Sequence, residues 1–171
     1  MSWLNETIES RLRTLRQDPR MAPVIDQVKA ASQAGVTSDE LLAKAAVAAR
    51  DSFVREGRAP HADEIRERAF LAAAAAATEQ RTSLADLPAG NDKTQHFFVS
   101  GWLSLQAARV ADVILPRSLA QRVGYGVSMA VGYLKEVYDQ FRGSGYNTED
   151  LKADRAGARS PFLVRVPAAT P

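Results

Sequence analysis

The sequence predicts an all-α protein: an N-terminal helical bundle, then a C-terminal helical hairpin with a short docking helix. Three observations carry that expectation. Apolar residues recur at three- and four-residue steps through most of the chain. A complete capping-box pattern, Thr37-Ser38-Asp39-Glu40, opens one of these periodic stretches. No convincing strand pattern precedes residue 82.

Trp3, Leu4, Ile8, Leu12 and Leu15 predict an amphipathic helix over 3–17 that ends before Asp18-Pro19. Pro23 suits the first turn of a second helix, which runs to Gly35 with Val24, Ile25 and Val28 on its apolar face. From the capping box, a third helix should carry Leu41, Leu42, Ala45, Ala46, Ala49 and Phe53 and stop by Gly57. After the connector Arg58-Ala59-Pro60, a fourth covers 62–81 through Ile65, Ala69, Phe70 and the alanine run 72–77. Alanine favours helix, and its small side chain lets a neighbouring backbone approach closely. Thr82 to Asn91, with Pro88 and Gly90, is the best candidate boundary.

Two long apolar segments follow, 93–115 and 118–142, parted by Pro116. Each has the length of a bilayer span. The first carries Gln106, Arg109 and Asp112, however, and the second carries Arg122, Lys135, Glu136 and Asp139. Charges inside a membrane are costly, so a soluble or interfacial hairpin is the expectation. Gly143-Ser144-Gly145 breaks the second segment. Asn147 caps a last helix to about Ala158, and the tail Pro161-Phe162-Leu163-Val164-Arg165-Val166 is expected either to tuck against the body or to be free. The resulting division is an N-terminal bundle over 1–87 in a partner-binding or regulatory role, a helical module over 91–158, and a tail over 159–171.

The totals narrow the function. A chain of 171 residues, 46% hydrophobic and 25% charged, suits one domain, or one domain with an appendage. A net charge of +2, with no dense basic run among aromatics, gives no ground for nucleic-acid binding. The absence of cysteine removes disulfides and thiolate metal sites. The start of the chain has neither a signal-peptide core nor a lipobox cysteine. A cytoplasmic location is therefore expected, with peripheral attachment to the inner membrane open.

Chemistry-bearing residues gather in the last third. His96, one of two histidines, has Ser100 one turn further along its helix. Glu136 and Asp139 share a face, preceded at four-residue steps by Gly124, Ser128 and Gly132, a ridge of small residues that lets another helix pack closely. Asp150 and Asp154 share a face of the last helix. Folding of the hairpin and docking of the last helix could bring all five polar groups together. One nitrogen and several carboxylate oxygens suit a divalent metal such as Zn, Mn, Fe or Mg, with His96, Glu136, Asp139 and Asp154 as ligands and Glu136 or Asp150 activating water. Clustered carboxylates beside a histidine also suit general acid–base work. The plainer reading is structural: His96 caps or hydrogen-bonds within the core, Glu136 pairs with Lys93 or Lys135, and Asp150 sits where the helix dipole favours it.

The succession Asp92-Lys93-x-x-His96-Phe97, then Gly132-x-x-Lys135-Glu136-x-x-Asp139, then Asp150-Leu151-x-Ala153-Asp154-x-x-Gly157 resembles the YfiM-like lipoprotein family of bacteria. It is more distantly similar to VanZ-like membrane proteins. The resemblance covers about residues 91–158 and implies a compact helical module at the bacterial envelope, with a site built from those polar residues. It implies no established reaction. The chain departs from that family in lacking a leader and lipobox, and in carrying some 90 helical residues in front. Together these readings lead to a helical, envelope- or membrane-associated interaction module with a protein partner, a second copy or a membrane surface to bind. A metal-dependent hydrolase or lyase is the alternative.

Overall fold

The computed structural model describes residues 10, 12–33, 35–143 and 145–167. Every regular element among them is helical, as the sequence predicts. Residues 12–17 are helical; Trp3, Leu4 and Ile8 of the expected first helix lie outside the described residues. The elements that follow are α1 (Ala22–Ala31), α2 (Ser38–Arg55), α3 (Ala62–Gln80), α4 (Asn91–Ala111), α5 (Arg117–Phe141) and α6 (Thr148–Leu163).

Local chemistry starts and stops these helices where expected. Thr37 and Glu40 close the capping box, the Glu40 amide donating to Thr37 Oγ1 at 3.3 Å and the Thr37 amide to Glu40 Oε2 at 3.1 Å. Each bond satisfies an amide that the first helical turn leaves unpaired. Thr37→Ala is expected to cost about 1 kcal/mol, seen as a lower urea midpoint at unchanged slope. An unaltered midpoint would mean that the cap does not form in solution. Two boundaries move: α1 was expected to run to Gly35 and ends at Ala31, and α6 was expected to end near Ala158 and instead continues to Leu163. Pro161 lies inside it and is fully buried, so packing outweighs the hydrogen bond that a helical proline forfeits.

Helices α1, α2 and α3 pack on one another, and α4, α5 and α6 do the same; α3 against α4 joins the two groups. The alanine run of α3 is buried throughout, and those methyl-sized side chains let α1, α2 and α4 crowd around one helix. The junction is aromatic. Phe70 of α3 meets Phe97 and Phe98 of α4 at ring-centroid distances of 6.1 and 5.3 Å, and the two phenylalanines of α4 meet edge-on at 5.1 Å. One hydrophobic core therefore extends from Met21 to Val164. The stretch 82–91 is pinned rather than loose. The Ala85 amide donates to the Val36 carbonyl at 2.9 Å, Asp86 accepts from the Ser38 amide at 2.7 Å, and the Leu84 amide donates to Thr94 Oγ1.

Close backbone approach sets the second group of helices. A Cβ on Gly157 of α6 would fall on the Phe97 backbone of α4, 2.6 Å from its carbonyl carbon and 2.7 Å from its Cα. A Cβ on Gly124 of α5 would strike the Ser104 carbonyl of α4. These crossings bring the ends of α4, α5 and α6 that carry polar residues to one place.

Candidate functional site

The first three turns of α4 supply Lys93, His96 and Ser100. The last turns of α5 supply Lys135, Glu136 and Asp139, and the first turns of α6 supply Asp150 and Asp154. Glu136 is 1% exposed and Asp154 2%, and Lys93, Asp139 and Asp150 are also buried. Sequence spacing anticipated this gathering, and the structure assigns each group its place.

His96 sits between two carboxylates. Its Nδ1 lies 3.0 Å from Asp154 Oδ1, and its Nε2 lies 3.3 Å from Asp150 Oδ2. Asp154 Oδ1 also accepts from the Ser100 hydroxyl at 2.6 Å. Ser128 of α5 donates to the Ser100 carbonyl at 2.7 Å, which ties the small-residue ridge to the same turn of α4. Gly132, the next step of that ridge, leaves room for Asp154: a Cβ there would come within 2.6 Å of Oδ2.

Two lysines balance the acids. Lys93 Nζ lies 2.6 Å from Asp150 Oδ1 and also pairs with Asp92. Lys135 Nζ lies 2.6 Å from Glu136 Oε1, 3.0 Å from Asp139 Oδ2 and 3.5 Å from Asp150 Oδ2. Glu136 Oε2 is occupied too, accepting the Asn147 amide at 2.8 Å. Burial by itself would lower both lysine pKa values, but hydrogen bonds and charge from the acids outweigh it. Lys93 is raised by Asp150 and Asp92, and Lys135 well above its usual value by Glu136 and Asp139. Both ammonium groups are therefore charged at neutral pH. The stability they contribute is complete below the ordinary lysine pKa and is lost only as pH rises through the elevated values.

Of the expected ligands, His96 and Glu136 come together with Asp150, each offering an atom within 4.8 Å of the others. Asp154 stands behind His96, and Asp139 pairs with Lys135. Sequence reasoning named Lys135 as a partner of Glu136, as observed, but overlooked its links to Asp139 and Asp150. Its signal was an acid at the next position and another four residues on, which share one side of a helix end. His61 is exposed at the start of α3 and has no part in the cluster.

The opposite side of α5 is unlike any other surface among the described residues. Ala120, Gly124, Ser128, Gly132, Glu136 and Asp139 are its buried residues. Leu119, Val123, Val127, Tyr133, Leu134, Tyr138 and Phe141 are exposed, Phe141 at 86%. The apolar surface continues onto the α4–α5 turn through Val110, Val113 and Ile114, the last 82% exposed. Arg122 and Gln140 interrupt the outward face, and no acid does. Exposed Arg159 of α6, its guanidinium 5.2 Å from the Tyr125 ring centroid, borders one edge, and Arg142 follows the end of the helix. Among the described residues no helix is long and apolar enough to cross a membrane. No family model, curated protein or solved structure matches the chain.

Proposed function

We propose that the protein is a helical interaction module that lays the outward face of α5 on an anionic membrane surface. The observation that carries this reading is the inversion of α5: it buries glycine, serine and carboxylates and turns its largest apolar side chains outward. A contiguous apolar face of this kind is costly unless something covers it. The face spans residues 119–141, roughly 33 Å of helix at 1.5 Å per residue. Tyrosines along it suit the headgroup level, and the exposed arginines Arg122, Arg142 and Arg159 on and around it suit anionic lipid, with exposed Asp112 of the α4–α5 turn an opposing charge. The motif succession resembling YfiM-like lipoproteins supports an envelope setting. The buried polar cluster then has a structural task, fixing the end of α5 against α4 and α6 so that the apolar face stays presented. A hydrolase draws less support, because both Glu136 oxygens are already held by Lys135 and the Asn147 amide.

Vesicle co-sedimentation tests the reading. The protein should pellet with mixed phosphatidylglycerol–phosphatidylcholine vesicles at low salt and progressively less as salt rises. Leu134→Glu should weaken binding by about tenfold or more, since one buried leucine side chain contributes about 1.5–3 kcal/mol. A dimer in light scattering that Leu134→Glu dissociates, without vesicle binding, would replace the membrane by a second copy of the chain. A monomer that ignores vesicles would end the proposal.

A further inference from the structure

The surface beside the outward face of α5 is basic, and it belongs to α6. Lys152, Arg155 and Arg159 are exposed, and steps of three and four residues set them on one side of that helix. Leu163, 71% exposed, continues the same side by one more turn. The Arg159 guanidinium lies 5.2 Å from the Tyr125 ring centroid, which fixes the stripe against α5. Arg122, three residues before Tyr125, is exposed on the same flank. A second aromatic contact closes the other end of this seam, where Tyr146 meets Tyr133 edge-on at 6.4 Å.

These cations lack acids. Beyond residue 117 the described carboxylates are Glu136, Asp139, Glu149, Asp150 and Asp154, and all but Glu149 are buried. Glu149 holds Lys152 at 2.7 Å. No carboxylate among the described residues pairs with Arg122, Arg155 or Arg159. Arginines of the other helix group are placed differently: Arg16 lies 2.7 Å from Asp26, and Arg58 2.7 Å from Glu64. The acids of α5 and α6 are spent inside, holding helix ends together, which leaves the outside of α6 positive. Like charges on one helix side repel, so an anion laid along them is stabilising.

We infer that Lys152, Arg155 and Arg159, with Arg122 across the seam, form a strip that takes the phosphates of anionic phospholipid headgroups. The inference rests on α5 being the membrane face and assigns α6 its own task there. α5 enters the boundary between headgroups and acyl chains, Tyr125 and Tyr133 stand at the seam, and α6 lies at the level of the phosphates. Each guanidinium offers paired N–H donors that match two phosphate oxygens. Lys152 and Arg159 are about 10 Å apart along the axis, so the strip acts within about one Debye length at physiological salt. A soluble acidic partner would satisfy the cations and leave the apolar face open beside them. Lipid offers phosphate and hydrocarbon side by side, and so satisfies both helices.

Vesicle binding of the full chain tests the strip, comparing the parent with Arg155→Gln/Arg159→Gln and with Arg58→Gln. Each cation near an anionic surface is worth about fivefold in affinity, so the double variant should bind phosphatidylglycerol–phosphatidylcholine vesicles about 25-fold more weakly. Its salt dependence should flatten while its circular dichroism stays that of the parent. On pure phosphatidylcholine, where the apolar face acts alone, parent and double variant should bind alike. Arg58→Gln should match the parent on both. A double variant that keeps the parent's preference for phosphatidylglycerol overturns the strip and leaves the reading of α5 standing. So does a parent that binds the two kinds of vesicle equally. A parent that binds neither overturns both.

Discussion

Gly157→Ala is expected to be among the most damaging single-methyl additions in this chain, costing about 3 kcal/mol or more. The new Cβ would meet not a side-chain tip but the Phe97 backbone, with the carbonyl oxygen nearest of all. Backbone inside a helix cannot step aside without moving α4, and α4 also carries Phe97 and Phe98 into the aromatic junction with Phe70. The strain therefore reaches both halves of the core. Gly126→Ala is the natural control. Its Cβ would meet nothing within 4 Å, so the better helix propensity of alanine should stabilise by about 0.5–1 kcal/mol. Urea unfolding monitored by circular dichroism measures both. A Gly157→Ala protein as stable as the parent would refute the close α4–α6 crossing.

Lys135→Met should cost about 3–5 kcal/mol, measured in the same way. The substitution keeps the length of the side chain and removes the one charge that touches Glu136, Asp139 and Asp150 together. Glu136 is then left with a buried, uncompensated oxygen. The lysine side chain is itself one-fifth exposed, which favours the lower end of that range. Lys152→Met removes an exposed pair with Glu149 and should change stability by less than about 0.5 kcal/mol. Equal, small losses in the two variants would show that the polar cluster does not hold the helix ends together.

How much of this was legible in the sequence differs by kind of interaction. The helices themselves were. The capping box at Thr37, the apolar period of 41–53 and the alanine run 72–77 are local signals, and α2 and α3 start and end within a few residues of where those signals place them. The far end of α6 was not. Pro161 argues locally for a stop, but its burial against the core lets the helix continue to Leu163. The candidate site was legible as a set of residues. Four-residue steps put Glu136 beyond the Gly124–Gly132 ridge and put Asp150 and Asp154 on one face. The pairing within the set was not legible, because it depends on which helix end approaches which.

The sequence by itself determined the helical fold class, most of the helix positions and which polar residues of the last three helices share a face, since these follow from periodicity and capping within a few turns. Tertiary structure alone decided that Asp154 supports His96 while Asp150 faces its other nitrogen, that Lys135 joins three acids, and that one core runs through both halves. The small-residue ridge of α5 was expected to meet another helix, as it does; that the large residues of α5 are left outward was decided by the tertiary structure. The amphipathic pattern of a helix marks two faces but not which one the protein buries. That choice was made by close packing, because Gly124 and Gly132 admit the neighbouring helices where a larger residue would hold them apart.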